Sequence, residues 1–252
     1  MVERVLMEEM SWREIKAALE AGARTVLIMA GSVEQHGPHL PTGTDAMLGY
    51  ERGVRLAHAL GNALVAPVIR PGLSEHHMSF PGSLTLQPET FKAILVEYCQ
   101  SLARHGFENL VLIPTHGGNY AAMEEMVPII QKGLPACRII LMTRQDSLAA
   151  HQTIQPKLNV DRLKAGVHAG EVETAMMMVH RRDLVRMEHA PEGWIGEFDE
   201  EAARILNEQG TRALSPNGVL GDARGATEDL GENYAAEWTE LYARLIRARL
   251  GT

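Results

Sequence analysis

Short apolar segments alternate with longer amphipathic ones along most of the chain. The apolar segments are too short for helices, and they are apolar on both faces, as buried strands are. They lie at 25–30, 63–69, 110–113 and 138–142. The amphipathic segments predict helices. These lie at about 11–22, 45–60, 88–105 and 119–132, and a long closing helix is predicted over 227–250.

Strands that are apolar on both faces and separated by helices predict a mainly parallel sheet. Right-handed crossovers would place helices on both sides of it, so the predicted fold class is α/β, a three-layer α/β/α sandwich. No linker, repeat or low-complexity segment interrupts the pattern, which favours a single domain over residues 1–252. Ligands of such sheets bind beyond the carboxyl ends of the strands, so the loops after Ala30, Ile69 and Ile113 are the candidates.

The composition limits the classes of binding partner and the cellular location that we expect. The 252 residues carry 24 Lys and Arg against 32 Asp and Glu, a net charge of −8, which argues against a nucleic acid or an anionic membrane as partner. Two cysteines cannot build a disulfide framework. The acidic N-terminus lacks the apolar core of a signal peptide, and no apolar run is long enough to span a bilayer. We therefore expect a cytoplasmic protein.

Acidic and imidazole side chains follow the predicted strands. Glu34 and His36 come after the first strand and, two residues apart in an extended loop, project to the same side. Asp45 stands where the next helix begins, and His116 follows the third strand. All four would converge on one crevice. Mixed nitrogen and oxygen ligands without thiolates suit an open site for Zn²⁺, Mn²⁺ or Fe²⁺.

Taken singly, each of these residues and motifs also has an interpretation that involves no metal site. Asp45 could cap a helix, and each histidine could be a polar loop residue. The Gly- and Pro-rich loop 71–85 could bind substrate or be an ordinary surface turn. Two acids at 171 and 173 follow His168 in the first turn of a predicted helix, where the helix dipole favours acids. The Gly117-Gly118 pair could cradle a phosphate in a non-enzymatic nucleotide-binding module, although no dinucleotide or P-loop motif accompanies it.

Five motifs together resemble the creatininase (creatinine amidohydrolase) family over roughly residues 8–235. They are GSVEQHGPHLP at 31–41 with Asp45, Ser74 and His76 before FPG at 80–82, HGGN at 116–119, HAGE at 168–171, and GVLGD at 218–222. The resemblance implies an α/β/α fold, a homohexamer, a small-molecule substrate and two divalent metal ions, Zn²⁺, Mn²⁺ or Fe²⁺, at the strand ends.

The resemblance also implies roles for individual residues. Asp45 would bridge the two ions, with Glu34 and His116 on one and His36 on the other. Creatininase itself has Tyr-Glu after the motif histidine, and that Glu completes its second metal site. This chain has Gly117-Gly118 there, so Glu171 is predicted to complete the site as a ligand and catalytic residue.

The remaining roles implied by the resemblance concern the substrate. His168 would donate a proton to the leaving group. Four residues would bind the substrate: Ser74, His76, Gly117 and Gly118.

The implied reaction is hydrolysis of a C–N bond in a cyclic amide or formamide by a hydroxide that bridges the two ions. Creatininase has a tryptophan over its substrate, but residues 162–166 contain no aromatic residue. We therefore expect a substrate that is bulkier or more polar than creatinine. The same site could instead hydrolyse a cyclic polyol ketone or a peptide.

Overall fold

The computed structural model describes residues 4–251; residues 1–3 and 252, which the predicted domain of 1–252 includes, lie outside the described residues. At its centre lies a four-stranded sheet in which every neighbouring pair is parallel, with strand order β2-β1-β3-β4. The strands are β1 (Thr25–Ala30), β2 (Ala63–Val65), β3 (Asn109–Pro114) and β4 (Arg138–Leu141). The predicted mainly parallel sheet is confirmed.

Helices connect and cover these strands. The first begins with a capping box, in which Ser11 N–H donates to Glu14 at 2.7 Å and Glu14 N–H donates to Ser11 Oγ at 3.4 Å. No helix within residues 4–251 combines the length and the apolar character that crossing a membrane requires. The α-helices are α1 (Trp12–Glu20), α2 (Thr44–Leu60), α3 (Pro88–Arg104), α4 (Tyr120–Gly133), α5 (Arg144–Lys157), α6 (Arg162–Ala165), α7 (Glu171–Arg181), α8 (Glu200–Gln209), α9 (Thr211–Leu214) and α10 (Glu228–Leu250).

The sheet separates two hydrophobic cores, because successive strand residues point to opposite faces. Leu27 and Met29 of β1 pack into one core together with apolar residues of α2, α5, α7 and α10. Val26 and Ile28 pack into the other, with residues of α1, α3 and α4. Helices therefore cover both faces, which confirms the three-layer sandwich.

The second strand is shorter than the predicted segment 63–69. It ends at Val65, since Pro67 has no N–H to give to the ladder. The chain nevertheless stays beside β1: Ile69 N–H donates to Met29 O at 3.0 Å, and Ile69 O accepts from Gly31 N–H at 3.0 Å. The loop that follows Ile69 therefore starts next to the loop that follows β1.

Helix α2 lies close against the sheet because two of its positions are glycines. A Cβ on Gly53 would come within 2.8 Å of Val65, and one on Gly49 within 3.3 Å of Thr115. The Thr115 hydroxyl donates to the backbone oxygen of Asp45 at 3.0 Å. These contacts fix the first turn of α2 against the carboxyl end of β3.

Candidate active site

Four acidic and imidazole residues meet at the carboxyl ends of β1 and β3. Glu34, His36, Asp45 and His116 are each at most 4% exposed. His116 Nδ1 lies 3.2 Å from Glu34 Oε1 and 3.2 Å from Asp45 Oδ2. His36 Nε2 lies 3.4 Å from Asp45 Oδ1. The sheet thus brings together residues that stand up to 82 positions apart in the sequence.

Two groups of candidate metal ligands share Asp45. In the first, which we call the Glu34 group, ligand atoms of Glu34, Asp45 and His116 lie within 4.8 Å of one another. In the second, the Glu173 group, the same holds for His36, Asp45 and Glu173. A carboxylate has two oxygens, so Asp45 can present one to each group.

The acid that joins the second group is Glu173, whereas the sequence suggested Glu171. Glu173 Oε2 lies 3.7 Å from His36 Nε2. Glu171 belongs to neither group and lies instead beside Gly225. The reason is helical geometry: α7 begins at Glu171, and residues two apart on a helix point about 200° apart. Only one of the two acids can face the sheet.

A strained turn leads into α7. Ala169 has φ of 54°, in the left-handed region that non-glycine residues seldom adopt. Its N–H donates to Glu173 Oε2 at 2.7 Å. The turn allows His168, immediately before it, and Glu173, four residues after it, to face the same cleft.

His168 is held at one ring nitrogen and faces the cleft with the other. Its Nε2 lies 2.8 Å from the backbone oxygen of Gln35, which can only accept, so Nε2 carries a proton. Its Nδ1 lies 3.7 Å from Glu34 Oε1. Burial and the neighbouring His36 lower the pKa of His168 below its ordinary value. The ring is therefore neutral near pH 7, with its unprotonated nitrogen towards the carboxylates.

The loop after residue 69 supplies one histidine that the sequence suggested and another that it did not. His76 is partly buried, and its ring stacks on His116 with centroids 5.7 Å apart. His77 is 3% exposed and places Nε2 3.3 Å from Glu34 Oε1. Both belong to the 3₁₀ turn Glu75–His77. An irregular loop has no periodicity from which to decide which of two adjacent histidines points inwards.

The other predicted substrate-binding residues lie beside the ligand groups. Ser74 Oγ is 3.3 Å from His116 Nε2 and is fully buried. Gly118 is packed against Leu73 O so closely that no side chain would fit there, whereas a Cβ on Gly117 would meet open space. Gly118 therefore serves the packing of two loops, and Gly117 is the more open of the pair.

Backbone carbonyls set the tautomers of two histidines. His36 Nδ1 lies 3.0 Å from Glu34 O, and His116 Nε2 lies 2.9 Å from Leu73 O. Because a carbonyl oxygen only accepts, each of these nitrogens carries a proton. In a neutral ring the opposite nitrogen then has a lone pair, and in both residues it faces the carboxylates. Metal-binding histidines are typically oriented in this way.

Several buried polar atoms of the cleft have no hydrogen-bond partner among the described residues. They include both carboxylate oxygens of Glu34, Asp45 Oδ2 and His36 Nε2. Buried carboxylates without partners are costly, and native proteins pair them or use them to coordinate metals. With imidazole nitrogens and no thiolate, the donors fit Zn²⁺, Mn²⁺ or Fe²⁺.

The charged groups shift one another's pKa values. Although burial acts to lower it, the carboxylates of Glu173 and Asp45 raise the pKa of His36 well above its ordinary value. Against the same effect of burial, Glu34 and Asp45 raise the pKa of His116. Burial opposes ionisation of Glu173, but His36 lowers its pKa to about 2. A divalent cation between these groups would replace the imidazolium protons as the source of positive charge.

A cavity of about 310 Å³ lies beside His36. Prolines and a phenylalanine dominate its wall, and apart from His36 no titratable side chain lines it. Its lining consists of Gln35, His36, Gly37, Pro38, Thr42, Phe80, Pro81, Pro216 and Asn217. The cavity therefore suits an uncharged group next to the candidate metal centre.

Several known proteins are similar in sequence to this chain over most of its length. A mycofactocin precursor peptide peptidase from Mycobacterium ulcerans (strain Agy99) is 30% identical over 86% of this chain and 82% of its own. A creatinine amidohydrolase from Pseudomonas putida is 26% identical over 92% of both chains. A 3-dehydro-scyllo-inosose hydrolase from Thermotoga maritima is 26% identical over 96% of this chain and 83% of its own.

Solved structures share the fold. A manganese form of creatininase superposes with a TM-score of 0.79 at 25% identity, covering 98% of each chain. A mutant creatininase of Zn–Zn type gives a TM-score of 0.79 over the same shares at 24% identity. The family model for creatininase, creatinine amidohydrolase, matches residues 8–246. The chain therefore belongs to the creatininase family of metal-dependent hydrolases.

Proposed function

We propose that this protein hydrolyses the C–N bond of an amide with the help of two divalent metal ions, one in the Glu34 group and one in the Glu173 group. A cyclic amide or a formamide is the expected substrate. One observation carries the proposal: two groups of buried donors share Asp45, and the histidines of both turn towards the carboxylates the nitrogen that has the lone pair once the ring is neutral.

The ions would be held by Glu34, His36, Asp45, His116 and Glu173. When bound, they would lower the pKa of a water towards neutrality and polarise the substrate carbonyl. Zn²⁺ and Mn²⁺ both suit these ligands, and Fe²⁺ is the third candidate. Glu171 has no part in this centre under the proposal, since it lies beside Gly225.

His168 is the proposed proton carrier. Its Nε2 proton is committed to Gln35 O at 2.8 Å, so Nδ1, which faces the cleft, is the nitrogen that exchanges protons. A neutral ring can take a proton at Nδ1 as water adds to the carbonyl and deliver it to the leaving nitrogen. Such proton transfer contributes about 10²–10⁴-fold to rate.

The cavity beside His36 is the proposed substrate pocket. Its wall of Pro38, Phe80, Pro81 and Pro216 offers apolar contact, and Thr42 and Asn217 supply polar groups. A charged substituent would find no counter-ion in it, and transfer of an unpaired charge out of water is costly. We therefore expect a substrate whose amide bears a neutral, at least partly apolar group.

A peptide is the second candidate substrate, and the relative from Mycobacterium ulcerans favours it, since that protein is named as a peptidase. Residues 162–166 contain no counterpart of the tryptophan that lies over the substrate in creatininase, which also favours a substrate longer than creatinine. The third candidate is a cyclic polyol ketone, in line with the name of the relative from Thermotoga maritima.

The test combines metal analysis with a substrate panel. Protein purified without chelators should contain about two ions per chain, as a two-metal site requires. Lactams, formamides, short neutral peptides and cyclic polyol ketones would be assayed before and after dialysis against a chelator. Hydrolysis of an amide that is lost on dialysis and restored by Zn²⁺ or Mn²⁺ supports the proposal. Absence of stoichiometric ions, or turnover that survives their removal, contradicts it.

Assembly and location belong to the same proposal. We expect a homo-oligomer, a hexamer by family resemblance, which sedimentation analysis of the purified chain would test. A cytoplasmic location, expected from the sequence, remains a prediction for cell fractionation.

A further inference from the structure

Backbone groups fix the orientation of the Gln35 side chain. Its Oε1 accepts from Gly37 N–H at 2.9 Å, and its Nε2 donates to Gly218 O at 3.0 Å. These two partners cannot exchange roles, so the amide oxygen and nitrogen are assigned without ambiguity. The second Nε2 hydrogen remains to be placed.

Two ring nitrogens lie 2.9 Å from Gln35 Nε2, His168 Nε2 and His77 Nδ1. His168 Nε2 already carries the proton that it donates to Gln35 O, so only His77 can accept this hydrogen. Gln35 Nε2 lies 2.9 Å from His77 Nδ1, so Nδ1 accepts and the ring proton must be on Nε2. The Thr211 hydroxyl lies 3.1 Å from the same Nδ1 and can rotate to donate either there or to His76 O. His77 therefore presents an N–H, not a lone pair, to Glu34 Oε1 at 3.3 Å.

His77 differs in this respect from the candidate ligands. When their rings are neutral, His36 and His116 turn a lone pair towards the carboxylates, because backbone carbonyls hold the proton on the other side of each ring. In His77 the amide of Gln35 donates to Nδ1, so the ring proton is on Nε2, the nitrogen that faces Glu34. Glu34, His76 and His77 have donor atoms within 4.8 Å of one another, but in this tautomer His77 turns an N–H and no lone pair towards the other two residues, so it is no metal ligand there.

We propose that His77, oriented by Gln35, is a positioning residue that holds the Glu34 carboxylate for the ion of the Glu34 group. Its Nε2 lies 3.3 Å from Glu34 Oε1, and this electrostatic contact, which is not an aligned hydrogen bond, favours one position of a buried carboxylate whose oxygens have no hydrogen-bond partner among the described residues. Of the two groups that share Asp45, Glu34 belongs to one only, so the effect falls on that ion. The inference rests on the two-ion centre of the proposed function and concerns metal affinity, whatever the substrate is.

The test measures metal binding and needs no substrate. Metal-free full-length protein is titrated with Zn²⁺ against a chromogenic chelator, which resolves the affinity for each ion. His77→Phe keeps the ring and its volume but removes the N–H. We expect one ion to bind about 10–100-fold more weakly, the range found when residues that orient a metal ligand are replaced. His77→Gln, which places an N–H near the same point, should restore most of the affinity.

Two further variants guard against a general loss of structure. His151 is also a mostly buried histidine, with one hydrogen bond to the Tyr234 hydroxyl at 2.6 Å, and it belongs to neither donor group. His151→Phe should bind both ions as the parent does. Gln35→Met should weaken the same ion as His77→Phe, and the double variant should be no weaker than the worse single one, because the two residues act in series.

The outcomes are distinct. Parental affinity for both ions in His77→Phe, equal weakening of both, or no recovery in His77→Gln would overturn the inference. A third ion bound by the parent and lost in His77→Phe would also overturn it, since His77 would then be a ligand. A parent chain that binds no ions refutes the proposed function itself, and two ions without amide hydrolysis would refute the proposed reaction but leave the role of His77 standing.

Discussion

The Glu34 group and the Glu173 group share Asp45 but differ in enclosure. The Glu34 side chain is 1% exposed, and nitrogens of His77, His116 and His168 lie within 3.7 Å of its Oε1. The Glu173 side chain is 23% exposed, and its Oε2 is held by the N–H of Ala169. One group is closed and surrounded by side chains, while the other is reached by water and depends on a single turn.

This difference in enclosure suggests that the two groups have different roles in ion binding and substrate contact. A closed group binds its ion tightly and exchanges it slowly, because its ligands are constrained from all sides. The more open Glu173 group lies beside the apolar cavity, because His36 is a member of that group and also lines the cavity. We therefore expect the Glu173 group to lose its ion first under a chelator and to be the group that meets the substrate.

Substitution of the shared residue should have the largest effect. Asp45→Asn keeps the volume but removes the charge that serves both groups. We expect activity to fall by on the order of 10³-fold, the upper range for loss of one key electrostatic group, and both ions to bind more weakly. Turnover and metal content would be measured together. A variant that kept both ions and full turnover would remove Asp45 from the centre.

The next effect separates the two acids of α7. Glu173→Gln should weaken only the ion of the Glu173 group and lower turnover by roughly 10²-fold. Its matched control is Glu171→Gln on the same helix, which should leave ion content unchanged and turnover within about threefold. Metal analysis of both variants decides the matter. The opposite pattern, with loss in Glu171→Gln alone, would restore the assignment drawn from the sequence.

The pH dependence of stability should differ with and without ions. The raised pKa values of His36 and His116 stabilise the metal-free fold below the unfolded value of about 6.5, and this stability is lost as pH rises through the folded values. Glu173, with its pKa lowered to about 2, adds stability above about pH 4 that is lost as pH falls towards 2. Five further histidines act in the other direction, because burial lowers their pKa values and stability is lost as pH falls below about 6.5: His39, His76, His77, His151 and His168. The metal-free protein should therefore be most stable near neutral pH.

Added Zn²⁺ should change this profile in the opposite direction. Protons compete with the ion for His36 and His116, so affinity should rise by up to roughly tenfold per pH unit for each proton displaced. Thermal unfolding from pH 5 to pH 9, with chelator or with Zn²⁺, would show a widening gap between the two Tm curves. A metal-free Tm that climbed steadily to pH 9 would contradict the assigned charges.

The smallest effect is expected at the cavity wall. Phe80→Ala removes apolar surface beside the Glu173 group without touching a candidate ligand. We expect kcat/KM for substrates with an apolar substituent to fall by roughly tenfold, and that for a simple formamide to change little. Ion content should stay at the parental value. Equal losses on both substrates would show that the cavity does not bind the substituent.

The sequence predicted those parts of the site that depend on the sheet. Glu34, His36 and His116 follow strands whose carboxyl ends lie at one edge, and Asp45 follows from the start of a helix that returns over that edge. A parallel sheet imposes this convergence whatever the details of the loops. The two apolar faces of β1 likewise fixed the layers on both sides of the sheet.

The remaining parts depend on positions that differ by one or two residues. Both acids were expected in the first turn of a helix, and both lie there, since α7 begins at Glu171. Which of them faces the sheet depends on how the helix is rotated about its axis, and this rotation is set by packing and by the turn at Ala169. The choice between His76 and His77 turns on a 3₁₀ turn in an irregular loop. In both cases side chains of the same type were adjacent or nearly so, and only three-dimensional packing selects one of them.

Under the proposed function, the left-handed turn at Ala169 would couple proton transfer to metal binding. The N–H of Ala169 belongs to the peptide bond between His168 and Ala169, and it donates to the Glu173 carboxylate. Loss of the proposed ion would remove one of the two partners of Glu173, leave the Ala169 N–H as the other, and loosen the alignment of the His168 ring. A half-loaded preparation should then behave as a mixture of fully active and inert molecules, with activity proportional to the fraction that carries both ions.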